Sequence, residues 1–164
     1  MSGACELSIR RTASGYVVRI AGRGTMRESP AVRDFVSGAI EDGADIWLDL
    51  AACDYLDSTF LGCLVLLQQR GRRGRGSFTV LADETVRRRL MSSVQLGPLL
   101  QFAASCPPCS GAAVTLPVVN LPRTEFGQHL LETHRNLAEL GGPSAESFRS
   151  VAEQIEKELG SSPG

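Results

Sequence analysis

Nowhere does the chain approach the run of roughly 18 apolar residues that a bilayer-crossing helix needs. Its start, MSGACELSIRR, has no apolar stretch of the kind a secretory leader carries. A cytoplasmic location is therefore the expectation. No charge sign is in excess: 17 Lys and Arg stand against 18 Asp and Glu, for a net charge of -1. With so small a net charge, no global field argues for nucleic acid or a membrane surface. The five cysteines (Cys5, Cys53, Cys63, Cys106 and Cys109) are odd in number and irregular in spacing, which speaks against a disulfide framework. Also missing are a GxxxxGK[ST] phosphate loop, a GxSxG elbow and an HExxH pair. There is no internal repeat. What is present is ordinary: 164 residues with 43% hydrophobic content, enough for one domain or one domain with an appendage.

Taken in order, Glu6 to Arg11 and Gly15 to Ala21 read as two strands joined at Ser14-Gly15, a hairpin expected at a sheet edge. Ser29 before Pro30 predicts a capped helix start. Val32, Phe35, Val36, Ala39 and Ile40 follow at helical spacing. Asp45 to Leu50 is a nearly continuous apolar run, as expected of a central strand buried on both faces. A second helix spans Ser58 to Arg70, with apolar residues around most of its circumference. Ser77 to Leu81 predicts a strand, Asp83 or Glu84 to Met91 a helix, and Leu100 to Ala103 a last short strand. Helices between strands imply crossovers and mostly parallel pairing.

Residues 104–122 break the pattern with proline, glycine and small side chains, and predict a linker that rests on the surface. Two further helical patterns follow. Phe126, Leu130, Leu131, Leu137 and Leu140 fall on one face of the first. Phe148, Val151, Ala152, Ile155 and Leu159 fall on one face of the second. A turn at Gly141-Gly142-Pro143 makes them an αα-hairpin, whose apolar side closes on itself, on the domain or on a second copy. The organisation expected is thus a domain over 1–103, a linker over 104–122 and a helical hairpin over 123–160.

Chemistry concentrates between Asp45 and Gly71. A strand runs into an acidic loop, and Asp57-Ser58-Thr59-Phe60 stands where the next helix begins. The first N–H groups of a helix lack intrahelical partners and favour an anion, and a hydroxyl there is a natural cap. Ser58 is also a place where an added phosphate would change what docks. The plainer alternative is that Ser58 only caps and Asp57 only complements the helix dipole. Asp54 and Asp57 form a carboxylate pair, but no histidine or lysine lies near in sequence, so a protein-binding loop is expected rather than acid–base work or a metal.

The order of strand, short loop, Asp-Ser-Ser/Thr and apolar helix resembles the STAS domain of bacterial anti-sigma factor antagonists, and the element order from Glu6 to Ala103 resembles it too. The resemblance implies an α/β fold: a mixed sheet of about five strands with helices mainly on one side, here followed by a C-terminal helical hairpin. It implies a phosphorylation-switched regulator of transcription that is no enzyme and needs no cofactor. Ser58 would be the phosphoacceptor, with Thr59 a second hydroxyl. Asp57, Thr59, Phe60 and Leu61 would shape the partner-binding edge. The partners implied are a GHKL-type anti-sigma serine kinase and a cognate phosphatase, and a homodimer through the hairpin is a further option. Family members usually carry glycine where this chain has Phe60, and that ring either projects into the partner or packs under the loop. The alternative role is a structural subunit of a signalling scaffold or of a lipid-transport complex.

Two other clusters predict less. Cys106-Pro-Pro-Cys109 has the CxxC spacing, but neither a following helix nor a second ligand pair, so a stiff linker is expected. His129 and His134 are five residues apart, on different helical faces. Arg70, Arg72, Arg73 and Arg75, with Arg87 to Arg89, lack aromatic interleaving and read as solvated turns rather than a nucleic-acid surface.

Overall fold

The computed structural model describes residues 4–92, 94, 96–142 and 144–161. Pro143, part of the expected turn, lies outside them. Twelve elements follow one another: β1 (Glu6–Arg11), β2 (Gly15–Gly24), α1 (Ser29–Glu41), β3 (Asp45–Asp49), β4 (Cys53–Leu56), α2 (Ser58–Arg73), β5 (Ser77–Leu81), α3 (Glu84–Met91), β6 (Phe102–Ala103), β7 (Ser110–Thr115), α4 (Arg123–Glu139) and α5 (Ala145–Ser161).

The strand order is β6-β5-β3-β2-β1-β7, with β4 paired to the end of β2. The mixed α/β sheet is as expected, and so is β3 in its centre. It has seven strands rather than about five. The β1–β2 hairpin is not at an edge, because β7 pairs antiparallel with β1. The supposed linker over 104–122 therefore contains a strand of the sheet. Its composition gave no alternation to read: all six residues of β7 are exposed, and an edge strand open to water needs no buried face. The acidic loop likewise hides β4, four residues too short for a period.

One sheet face carries Val18, Ile20, Ile46, Leu48, Phe78 and Val80, all essentially inaccessible under the helices α1 and α2. Alternation sends Val17, Trp47, Thr79 and Leu81 to the other face. No helix covers them, yet Val17, Thr79 and Leu81 are buried. The segment 104–109 crosses this face. It joins β6 at one edge to β7 at the other, while helices fill the opposite face. Strands lie about 4.8 Å apart and extended chain advances about 3.4 Å per residue, so so short a connection must run nearly straight across the sheet. Pro107-Pro108 suits that extended path. Cys106 passes within electrostatic reach of Asp49 on that face.

The C-terminal helices form the expected hairpin, packed on each other, and α4 lies along α2. The structure thus shows the hairpin closing on itself and seated on the chain's own domain.

Candidate functional site at the start of helix 2

Asp57 is the N-cap of α2. Its Oδ1 accepts the Phe60 N–H at 2.8 Å, and its Oδ2 accepts the Met26 N–H at 2.7 Å. One carboxylate thus ends the helix and ties the β2–α1 loop to it. Burial pushes its pKa up, while the two N–H donors and nearby His134 pull it back.

The two serines read as caps are not caps. Ser58 is the first residue of α2 and Ser29 the first of α1, where Glu28 takes the cap position. Both hydroxyls instead meet imidazoles of α4. Ser58 Oγ lies 3.2 Å from His134 Nε2, and Ser29 Oγ lies 2.7 Å from His129 Nε2. The partners fix both tautomers. His134 Nδ1 stands 2.7 Å from the Leu130 carbonyl, which only accepts, so Nδ1 carries a proton, and in the neutral ring Nε2 accepts from Ser58. His129 Nδ1 faces the Arg33 guanidinium at 2.8 Å, which only donates, so Nε2 carries the proton and donates to Ser29. Burial, and then the Arg33 charge, lower the His129 pKa to about 4.

The residues expected at the partner-binding edge separate sharply. Asp57 and Ser58 are half-buried, whereas Thr59 and Leu61 are buried and Phe60 has no exposed surface. The Phe60 ring packs under the loop beside Gly24 and Leu56, where a Cβ on Gly24 would meet both side chains. It does not project outward. Thr59 and Leu61 are hidden because α2 is enclosed: the sheet and α1 hold one side, and α4 the other. Contact with α4 is closest at Gly62, whose missing Cβ would lie 2.2 Å from the Thr133 carbonyl oxygen.

Exposed near Asp57 are Met26 and Tyr55, with the Arg23 guanidinium 4.2 Å over the Tyr55 ring. Neither these two nor the histidines stood out in the sequence. The histidines sit among polar residues of α4, and only its packing partner reveals their use.

The other clusters resolve into structure. Arg72 donates to the Leu99 carbonyl, Arg89 to the Cys53 carbonyl, and Arg87 lies over Phe102. Cys106 is exposed with its pKa raised, mainly by partial burial, and a strand rather than a helix follows Cys109. That is the reverse of an activated thiol. Among the described residues no group of three or more His, Cys, Asp or Glu is placed to hold a metal, and no helix is long and apolar enough to cross a membrane.

A family model described as "Mlab, STAS domain" matches residues 7–101, more than half of the chain. The chain belongs to the STAS family. Its fold is similar to that of an anti-sigma factor antagonist from Mycobacterium paratuberculosis, at 20% identity and a TM-score of 0.53, over 64% of this chain and 92% of that one. The anti-sigma factor antagonist SpoIIAA in its unphosphorylated form also matches, at 21% identity and a TM-score of 0.48, over 63% of this chain and 90% of that one. No curated protein matches. The STAS match ends before β7, so β7 and the α4–α5 hairpin lie outside it. Both histidines that engage the helix starts are therefore additions to the STAS core.

Proposed function

We propose that this STAS protein is a phosphorylation-switched antagonist of an anti-sigma factor, with Ser58 as phosphoacceptor and the exposed rim of α2 as docking edge. The observation that carries this reading is the division of labour at the helix start. Asp57 does the capping, so the Ser58 hydroxyl has no backbone duty in α2. A phosphate there adds about -1.5 to -2 charges at pH 7. It would sit beside a carboxylate that burial already strains, so docking of the modified form is disfavoured. Each interaction loss of about 1.4 kcal/mol weakens binding tenfold, so a switch needs no large rearrangement. The docking surface at the exposed rim is Met26, Tyr55 and Asp57, with Thr59 and Leu61 reached only when α4 moves. The partners are an anti-sigma factor with GHKL-type serine kinase activity and a phosphatase. The chain is the substrate in this scheme and catalyses nothing.

The test is incubation with the cognate kinase and ATP, followed by peptide mass spectrometry. One phosphate is expected on Ser58, and Ser58→Ala removes it. Label on Thr59 alone, or undiminished label in Ser58→Ala, overturns the assignment.

A second reading keeps the family and changes the role: a structural STAS subunit of a lipid-transport complex or a scaffold, with the α4–α5 hairpin outside the STAS match as its assembly element. Affinity purification from the native cell separates the two. A kinase partner supports the first; co-purification with a transport ATPase, with Ser58→Ala indifferent, supports the second.

A further inference from the structure

The face of α2 that carries Ser58 is not open, because α4 lies on it. Its side-chain bonds to α2 are Ser58–His134 at 3.2 Å and a loose Arg70–Glu132 pair at 3.9 Å, and α4 adds Ser29–His129 at 2.7 Å and Arg33–His129 at 2.8 Å to α1. Of the α4 side chains, Leu137 alone belongs to the buried apolar core, while Leu140, just past α4, and Phe148 of α5 rest against it. Each of these polar bonds can be exchanged for one to water at small net cost, unlike an apolar core contact. Residues 116–122, with Pro117 and Pro122, form neither helix nor strand, so the hairpin is joined to β7 by a tether rather than a rigid element. A tethered contact with exchangeable polar bonds and one side chain of α4 in the core is the kind that opens and closes.

The 3.2 Å gap between Ser58 Oγ and His134 Nε2 holds one hydrogen bond and has no room for a PO₃ group. In phosphoryl transfer Oγ attacks the γ-phosphorus of ATP, a P–O bond forms, the bond to ADP breaks, and the hydroxyl proton passes to a base of the kinase. While α4 is docked, the His134 ring occupies the position beside Oγ and the product does not fit there. We propose that the α4–α5 hairpin is a displaceable intramolecular cover on the Ser58 face of α2, and that a docked hairpin and a phosphoryl group on Ser58 exclude one another. The second half rests on the reading of Ser58 as phosphoacceptor; the first half does not. A partner using this face competes with the hairpin, so the hairpin lowers apparent affinity by the fraction of molecules in which it is docked.

Hydrogen exchange read by mass spectrometry on the full chain tests the cover. Peptides from α4 (Arg123–Glu139) report docking, and peptides from β3 and β5 report the core. A Cβ at Gly62 collides with the Thr133 backbone, whereas one at Gly38 on α1 meets nothing. Gly62→Ala is expected to speed α4 exchange about tenfold or more with β3 and β5 unchanged, and Gly38→Ala to leave both as in wild type. Should Gly62→Ala also loosen β3 and β5, His134→Ala, which only removes a bond, asks the same question from the hairpin side. Exchange of α4 within about twofold of wild type in both variants, a range too small to signify opening, overturns the cover. So does α4 protection that falls on dilution, since the covering helix would then come from a second copy. With kinase and ATP, faster labelling of Ser58 in Gly62→Ala than in wild type supports the exclusion, and unchanged α4 protection in the phosphorylated chain overturns it. A Gly62→Ala chain that opens but takes no phosphate leaves the cover standing and removes the phosphoacceptor reading instead.

Discussion

Phe60 shows how one residue changes role with its neighbours. Read along the chain, it is a large ring where relatives carry glycine, and it stands beside the candidate phosphoacceptor. In the fold it has no exposed surface and fills the space between Gly24 and Leu56. Restoring the family's glycine is therefore a deletion from the core. Phe60→Gly is expected to cost about 3–5 kcal/mol for the lost ring, plus up to about 1 kcal/mol for glycine within a helix. A denaturant melt measures it, and a loss under about 1 kcal/mol would mean the ring is not the filler it looks to be. Asp57 is the reverse case. Its two N–H bonds make it structural, and that releases Ser58 from the capping role its type suggests.

At the scale of elements, α1 and α2 begin alike: each has a serine as its first residue and each serine meets a histidine of α4. The pairing with His129 has a sign that pH tests. Buried against Ser29 and Arg33, with Asp34 and His134 near, His129 has a pKa lowered from 6.5 to about 4. In the undocked state it regains its ordinary value and binds a proton that the docked state refuses. Docking is then fully favourable above pH 6.5 and weakens as pH falls from 6.5 towards 4, by about 1.4 kcal/mol per unit at the steepest. Exchange of α4, corrected for intrinsic pH dependence, is expected to accelerate from pH 7 to 5, and His129→Gln to flatten that profile. A wild-type profile as flat as the variant's would separate His129 from docking. None of this was legible beforehand. The hairpin's two amphipathic stripes were plain, but stripes do not name their partner, and the residues that grip α1 and α2 are polar ones outside those stripes. The start of α2 was legible because Asp57 and Ser58 adjoin an abrupt change of period.

For the whole molecule, apolar patterning recovered β1, β2, β3, β5, β6 and helices α1 to α5. It missed β4, four residues whose buried ends Cys53 and Leu56 show no period, and β7, held by backbone pairing without a buried face, and so placed the domain boundary at 103. Pairing of β7 with β1 carries the sheet past residue 103. A fragment ending at 103 loses β7 and the strap over Val17, Thr79 and Leu81. It bares the backbone edge of β1 and an apolar sheet face, which together template aggregation. A fragment ending at 122 keeps both and loses only the hairpin, uncovering one face of α2. The 1–122 fragment is expected to elute as a folded species with a cooperative melt below that of the full chain, and the 1–103 fragment to aggregate or melt without cooperativity. Size-exclusion chromatography with thermal melts distinguishes them. Equal behaviour of the two would show that β7 adds no stability and return the boundary to 103. Aggregation of both would instead make the hairpin part of the core, because α2 could not then stand uncovered.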